Sequence, residues 1–159
     1  MRLRRRSVAT LVAGVALLGL AGCQKPVPDV GVYSGGTYLS QPATTYCFTL
    51  DDAAANHCRA DDPAALEVPV REGSAVGISV PSELSDTPWV VVLSVPGSGA
   101  KAQRTPYQIG KSYLSLTPTF SRSARVVAEI VAYRSDGRAV RPVGLWRFEF
   151  VRQPKLQPS

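Results

Sequence analysis

The sequence predicts an all-β fold, an antiparallel β-sandwich, on three observations. About eight short segments rich in Val, Ile and aromatic residues alternate between apolar and polar positions, as strands buried on one face do. Gly, Pro and Asp residues that favour turns separate these segments at short intervals. Beyond the apolar N-terminal run, no stretch of about ten residues follows the helical period of about 3.6 residues.

The N-terminal half supplies the first strands. Val30 to Val32 predicts a strand, Gly35-Gly36 a hairpin turn, and Tyr38-Leu39 the returning strand, which Pro42 ends. Thr45 to Leu50 alternates again and predicts a further strand. The polar, Ala-rich residues that follow predict a loop with one short helical turn.

The middle of the chain predicts an edge strand and a central strand. Leu66 to Val70 contains Pro69, which cannot donate to a neighbouring strand and therefore favours a sheet edge. Val76 to Val80 alternates after a turn. Trp89 to Leu93 is apolar on both faces, which is typical of a central, buried strand.

The last third predicts four strands, at Tyr107 to Ile109, Tyr113 to Leu116, Val126 to Tyr133 and Gly144 to Val151. Four aromatic residues fall on the apolar side of the alternation and are predicted to be core residues rather than a ligand platform. They are Trp89, Trp146, Phe148 and Phe150. The number of strands is typical of an immunoglobulin-like β-sandwich, and a small β-barrel is the alternative architecture.

The segment before the sandwich has the features of a bacterial secretory signal. Met1 to Arg6 is basic, Val8 to Leu20 is an apolar run of 13 residues, and small residues then precede a cysteine. Such a run is shorter than the roughly 20 residues of a membrane-spanning helix. Leu20-Ala21-Gly22-Cys23 resembles the lipobox of bacterial lipoproteins at all four positions. The resemblance implies removal of the preceding residues and attachment of a diacylglyceryl group to the thiol of Cys23.

These signals predict four regions. They are a lipoprotein signal peptide at 1–22, a lipidated tether at 23–29, the β-sandwich domain at 30–152 and a flexible tail at 153–159. The residues from Gln24 to Asp29 include two prolines, and six residues of extended chain reach only about 19 Å. We therefore expect the protein to be lipid-anchored on the extracytoplasmic face of the cell membrane, with its domain close to the lipid.

The net charge of +6 overstates the basic character of the mature chain, because four arginines lie in the predicted signal peptide. The mature chain has 14 basic and 12 acidic residues, a balance that argues against a nucleic-acid partner. Residues 24–99 have a net charge of −6 and residues 100–159 one of +8. This asymmetry indicates either two differently solvated faces or a basic face for anionic lipid or wall polymer, with Arg122, Arg125, Arg134 and Arg138 as contacts.

Three cysteines would leave one unpaired thiol in an exported protein. Acylation of Cys23 leaves Cys47 and Cys58, which are predicted to form a disulfide outside the reducing cytosol. A metal site is the alternative. His57 beside Cys58 offers too few ligands for zinc, and the acidic pairs Asp51-Asp52 and Asp61-Asp62 lack the spacing of a calcium loop. We therefore expect no metal and no cofactor.

Signals for catalysis are weak. Gly110-Lys111-Ser112 resembles the end of a phosphate-binding loop, but Thr105 stands where that motif requires a glycine. His57 is the only histidine, and the sequence favours no particular serine as its partner in a catalytic triad. We expect no enzymatic activity. A binding or interaction module of the cell envelope is the first hypothesis, a structural accessory protein on anionic lipid or wall polymer the second, and an enzyme centred on His57 the third.

The lipobox, the tether, the cysteine pair and the segments VREGSAVGISVP, WVVVLSV and WRFEFV together resemble small actinobacterial lipoproteins of a domain-of-unknown-function family. A high content of Ala, Val and Arg beside little Lys and Asn agrees with a high-GC genome. The resemblance spans most of the mature chain. It implies an immunoglobulin-like fold on the outer side of the membrane, and it implies no catalytic residues.

Overall fold

Two β-sheets pack face to face around one apolar core in the computed structural model, which describes residues 25–61, 63–120 and 123–154. The elements of these residues, in chain order, are β1 (Asp29–Ser34), β2 (Thr37–Pro42), β3 (Thr45–Tyr46), α1 (Leu50–Ala55), β4 (Arg59–Ala60), β5 (Leu66–Arg71), β6 (Val76–Ser79), α2 (Ser82–Ser85), β7 (Trp89–Ser94), β8 (Gln103–Arg104), β9 (Tyr113–Leu116), β10 (Arg125–Ser135) and β11 (Val140–Gln153).

The strands form a four-stranded sheet in the order β2-β1-β6-β9 and a seven-stranded sheet in the order β4-β3-β11-β10-β7-β8, with β5 paired to β11. The predicted all-β sandwich is confirmed. Neither sheet of the described residues closes on itself, so the alternative barrel is not formed. The finer assignment, an immunoglobulin-like arrangement, stays a prediction.

The first hairpin forms where the sequence predicts it. β1 and β2 pair in antiparallel register around the two residues Gly35 and Gly36. Both glycines have positive φ angles, 57° and 84°, which the tight turns that match hairpin twist require. The alternation of β1 buries Val30 and Val32 completely, so the hairpin covers one side of the core.

The four aromatic residues predicted for the core are completely buried, and three of them come from β11. Trp146, Phe148 and Phe150 lie on one face of this strand, whereas Arg147 and Glu149 between them stay partly exposed. Large aromatic side chains bury more apolar area than any other residues, so β11 contributes most to the core.

β7 agrees with the predicted central strand over its first half. It pairs with β10 on one side and with the short β8 on the other. Trp89, Val90 and Val91 are completely buried, but the residues from Val92 to Ser94 are only partly buried. Burial on both faces therefore ends before the strand does.

The prediction of one strand from Thr45 to Leu50 is wrong beyond Tyr46. The Thr49 hydroxyl accepts a hydrogen bond from the backbone N–H of Asp52, and the Asp52 carboxylate accepts one from the backbone N–H of Thr49, both at 3.0 Å. This reciprocal capping box starts α1 at Leu50. Local capping therefore outweighs an alternation of only six residues.

β5 is an edge strand as predicted, but its partner was not foreseen. It pairs only with β11, and the two strands run parallel, which is the one departure from an antiparallel sandwich among the described strands. β11 is 14 residues long and pairs with β3 at Gly144 and Leu145 only. The rest of that edge is free for β5. Pro69 has no backbone N–H to donate, which suits a strand that has a neighbour on one side only.

The segment Tyr107 to Ile109 does not form the predicted strand. A single isolated β-bridge pairs Gln108 with Trp89 of β7. Two residues later, Gly110 has a φ of 66°, and the segment turns away from β7. The short β8 pairs with β7 instead, just before Thr105, whose hydroxyl accepts from the backbone N–H of Val91 at 3.0 Å. A hydrogen bond between a side chain and the backbone of a distant strand leaves no periodic pattern in the sequence, so it could not be predicted there.

The predicted disulfide between Cys47 and Cys58 is present, with the two Cα atoms 4.3 Å apart. Cys47 is buried in the core next to β3, and Cys58 follows α1. The bond therefore joins the end of a strand to the end of the following helix, and it encloses the capping box at Thr49.

Replacing Thr49 with Ala should lower the free energy of unfolding by about 1 kcal/mol, because the N–H of Asp52 loses its acceptor. Urea denaturation followed by tryptophan fluorescence measures the change. Thr37→Ala, at an exposed strand position, is the control. An equal loss in both variants would contradict a specific capping role.

Replacing both Cys47 and Cys58 with Ser should destabilise the domain by about 3 kcal/mol, because the unfolded chain regains the freedom of a closed loop. The same urea titration measures this loss. Exported protein is alkylated without reductant and analysed by mass spectrometry. Neither Cys47 nor Cys58 should be alkylated, because both sulfur atoms are in the disulfide. Labelling of either cysteine under those conditions contradicts the disulfide.

Candidate functional site

The tether joins the sandwich at one end and is fixed to the core there. The indole Nε1 of Trp146 donates a hydrogen bond to the carbonyl oxygen of Pro28 at 2.9 Å. Pro28 is buried, and Val27 packs against the core. The folded domain therefore begins three residues before Val30, the first domain residue that the sequence predicts. Of the described residues before Val27, Lys25 and Pro26 are both exposed.

Two grooves flank the disulfide at this tether end of the sandwich. The first, of about 590 Å³, is lined by Lys25, Phe48, Asp52, His57, Cys58 and Arg59. The second, of about 450 Å³, has Val131 and Leu145 on one wall and Ala53 on the other. Cys58 lines both grooves, so the disulfide forms the ridge between them.

His57 is exposed in the first groove and has no catalytic surroundings among the described residues. Its backbone N–H donates to the carbonyl of Asp52 at 2.8 Å, after Asn56 ends α1 with a φ of 61°. The Asp52 carboxylate in the same groove caps the helix. No serine lines this groove within the described chain, and the Asp52 carboxylate is engaged by the backbone N–H of Thr49 and not by His57.

The acidic pairs of this loop serve the local structure. Asp51 and Asp52 lie in the first turn of α1, where carboxylates interact favourably with the helix dipole. Asp61 forms an ion pair with Arg59 at 2.8 Å, and Asp62 lies outside the described residues. Residues 25–61, 63–120 and 123–154 contain no group of three His, Cys, Asp or Glu side chains that could hold a metal ion.

The four arginines predicted to contact an anionic surface are not brought together in the described chain. Arg122 lies outside it, as does Cys23, the predicted lipid anchor. Arg125 begins β10 and forms ion pairs with Glu149 and Glu67, each at 2.9 Å. The hydrogen bond to Glu149, and then that to Glu67, raises the pKa of Arg125.

Arg134, Arg138 and Arg141, which we name the tether-end arginines, gather at the other end of β10. Arg134 lies nine positions after Arg125 along β10, a distance of about 30 Å. Arg134 and Arg141 face each other in the register of β10 and β11, and Arg138 lies in the connecting turn. The Arg134 Nη1 donates a hydrogen bond to the carbonyl oxygen of Phe48 at 2.7 Å. Phe48 lines the first groove together with Lys25.

The tether-end arginines form no ion pair within the described residues. Asp136, in the same turn, is engaged by the backbone. Its carboxylate accepts from the N–H groups of Ala139 and Arg138, each at 2.8 Å, and these bonds lower its pKa, with a smaller effect from the charge of Arg141. Where β10 turns into β11, three arginines and one carboxylate therefore leave a local excess of positive charge.

Arg104 adds a cation that the sequence does not reveal. Its Nη2 donates to the hydroxyls of Tyr107 and Tyr133 at 2.9 and 3.2 Å, and its guanidinium lies 4.9 and 5.4 Å from the centres of their rings. Tyr133 also lines the second groove. β8 and β10 meet only through β7, so no sequence spacing could have joined Arg104 to Tyr133.

Of the helices in the described part of the chain, none has the length and apolar character needed to cross a membrane. Comparison with curated proteins and with solved structures finds no significant match. The model of a family described as "Protein of unknown function (DUF2771)" matches residues 23–132, which are more than half of the chain. The chain therefore belongs to the DUF2771 family of proteins of unknown function.

Proposed function

We propose that the protein is a lipoprotein anchored through Cys23 on the extracytoplasmic face of the cell membrane, and that its β-sandwich is an interaction module of the cell envelope. The observation that carries this proposal is the fixed tether end. The bond from Trp146 to Pro28 leaves only Gln24, Lys25 and Pro26 between the anchor and the folded domain. Three extended residues span about 9 Å, so the tether end faces the lipid.

The sequence supports the anchor independently of the fold. The lipobox from Leu20 to Cys23 closes a basic and apolar export segment, and the family match starts at Cys23. A disulfide suits an oxidising compartment outside the cytosol. We propose a binding module rather than an enzyme, because His57 in the described structure has no catalytic partner.

Replacing Cys23 with Ser, in a chain whose residues 1–22 are exchanged for an ordinary cleavable secretory signal, should move the protein from the membrane fraction to the soluble extracytoplasmic fraction. The thiol that receives the lipid is lost, and no uncleaved apolar segment remains to hold the chain. Detergent phase partition and mass spectrometry of the N-terminal peptide measure the change. The control is the variant with Cys47 and Cys58 both replaced by Ser, which should stay with the membrane. Retention of the Cys23→Ser protein in the membrane fraction sinks the proposal.

A second candidate function, contact with anionic lipid, is favoured by the positions of the tether-end arginines. Arg134 is bonded to Phe48, which lines the same groove as Lys25, so these arginines lie beside the segment that leads to the anchor. Each cation near an anionic leaflet contributes about 1 kcal/mol of attraction. The arginines of the opposite end, Arg125 and Arg152, are in ion pairs with glutamates.

Replacing Arg138 and Arg141 together with Gln should weaken binding to phosphatidylglycerol vesicles by roughly 30-fold, since two attractions of about 1 kcal/mol are lost. The mature chain carrying Cys23→Ser is used, so that the lipid does not contribute, and co-sedimentation measures the affinity. Arg125→Gln with Arg152→Gln removes the same charge and is the control.

Binding should also fall between 0.05 and 0.5 M salt, at which the screening length drops from roughly 14 to 4 Å. Equal weakening by both double variants, or binding that salt does not change, rejects this second function.

A further inference from the structure

The outer face of the four-stranded sheet carries Tyr, Ser and Gly at eight positions, with the exposed pair Asp29 and Pro42 at its edge next to the tether. In each of its strands, the residues of one parity point to the core, and Val30, Val32, Val76 and Ile78 are completely buried there. Apart from the pair of Asp29 and Pro42, the outward positions of the paired registers form two rows across all four strands. We name them together the tyrosine face: Tyr38, Tyr33, Gly77 and Ser115 in one row, and Ser40, Gly31, Ser79 and Tyr113 in the other.

The tyrosine rings lie flat on the sheet rather than standing away from it. A Cβ atom added at Gly31 would collide with the ring and hydroxyl of Tyr38, and one at Gly77 would collide with those of Tyr113. The ring of Tyr38 therefore crosses from β2 over β1, and that of Tyr113 from β9 over β6. Glycine inside a strand typically marks a place where another group approaches the backbone closely.

The upper sides of these rings are open. Tyr33, Tyr38 and Tyr113 are 48%, 51% and 53% exposed, and the rings of Tyr33 and Tyr38 lie with their centres 4.6 Å apart. The two outer rings extend inward from β2 and β9, so the ring of Tyr38 lies over β1 beside that of Tyr33, and the ring of Tyr113 lies over β6. Aromatic rings therefore cover both middle strands.

Solvent-exposed sheet faces normally carry charged residues, and the other sheet does so. Its outer side has the ion pair of Arg147 with Glu129 at 2.9 Å and that of Arg125 with Glu149. None of the eight positions of the tyrosine face is charged. Exposed tyrosines with serine and glycine and without charge are the composition of recognition surfaces.

We propose that the tyrosine face binds a neutral polysaccharide of the cell envelope. A sugar ring presents a face of C–H bonds that packs on an aromatic ring, whose π face is negative, and its hydroxyls need neutral donors and acceptors. Six of the eight residues carry a hydroxyl group for that purpose. The assignment rests on the proposed extracytoplasmic location, which gives the face access to such a polymer.

A protein partner fits this face less well. Tyrosine is enriched in protein interfaces as well, but so are Met, Phe, Trp and Arg, and none of these four occurs on the tyrosine face. An anionic polymer also fits less well, because the tyrosine face has no Lys or Arg side chain to bind it. A neutral, hydroxyl-rich and flat ligand matches the charge and chemistry of the surface.

Affinity electrophoresis tests the assignment. The mature chain carrying Cys23→Ser is run in native gels that contain arabinan, galactan, mannan or dextran, one polymer to a gel. At least one polymer should retard the protein, and Tyr33→Ala should weaken that affinity by about fivefold for the loss of one aromatic contact. Tyr107→Ala, at a tyrosine that is 51% exposed elsewhere, is the matched control and should bind as the unaltered chain does.

A second variant separates ring placement from ring loss. Gly31→Ala keeps every tyrosine but lifts the ring of Tyr38, so it should also weaken binding, whereas Tyr33→Phe should keep most of the affinity. Urea titration confirms that each variant is folded.

Three results overturn the assignment: no retardation in any of the four gels, equal affinity of Tyr33→Ala and Tyr107→Ala, or retention of a protein on the tyrosine face that neutral polysaccharide does not displace. The membrane fractionation of Cys23→Ser is unaffected by each of these results, so a failure here is distinct from a failure of the proposed anchoring.

Discussion

The strand β11, with Trp146 near its middle, is the element on which the rest of the structure depends. It pairs with β10 along one edge and with β3 and β5 along the other, and it supplies three of the four core aromatics. The indole N–H of Trp146 would cost about 1–3 kcal/mol if it were buried without a partner. Its bond to Pro28 meets this need and fixes where the tether joins the domain. Gly144 beside it leaves room for the rings of Trp146 and Tyr46, because a Cβ there would overlap the indole.

Local patterns in the sequence predict much of this fold, and long-range pairing explains the rest. The Gly35-Gly36 hairpin and the buried alternation of β11 need no information beyond neighbouring residues, and both are confirmed. The disulfide follows from three cysteines and an export signal. By contrast, β5 pairs with a strand more than 75 residues later in the chain, so no local pattern indicates that the pair is parallel. The capping box at Thr49 is a local signal as well, and in the fold it outweighs the alternation from Thr45 to Leu50 that predicts a strand.

The net charge of a chain segment does not show which of its charged side chains are paired in the fold. The basic C-terminal half suggests one patch, but an arginine's effect depends on its neighbours in space. Glu67 lies in the acidic half of the chain and pairs with Arg125, because β5 packs beside β11. Arg141 was not singled out from the sequence, yet its register opposite Arg134 places two cations together at the tether end. Of the tether-end arginines, Arg134 and Arg138 could therefore be named from the sequence, whereas Arg141 could be found only from the strand register.

The tether end and the tyrosine face share no residue, but β1 connects them directly. The chain leaves the tether at Asp29 and runs directly into the tyrosine face, reaching Gly31 after about 7 Å and Tyr33 after about 13 Å. The six residues from Gln24 to Asp29 add about 19 Å. With Cys23 anchored as we propose, Tyr33 would lie within about 32 Å of the lipid. On these proposals, a neutral polymer and an anionic membrane would be bound at the same time, because the tyrosine face and the tether-end arginines share no residue.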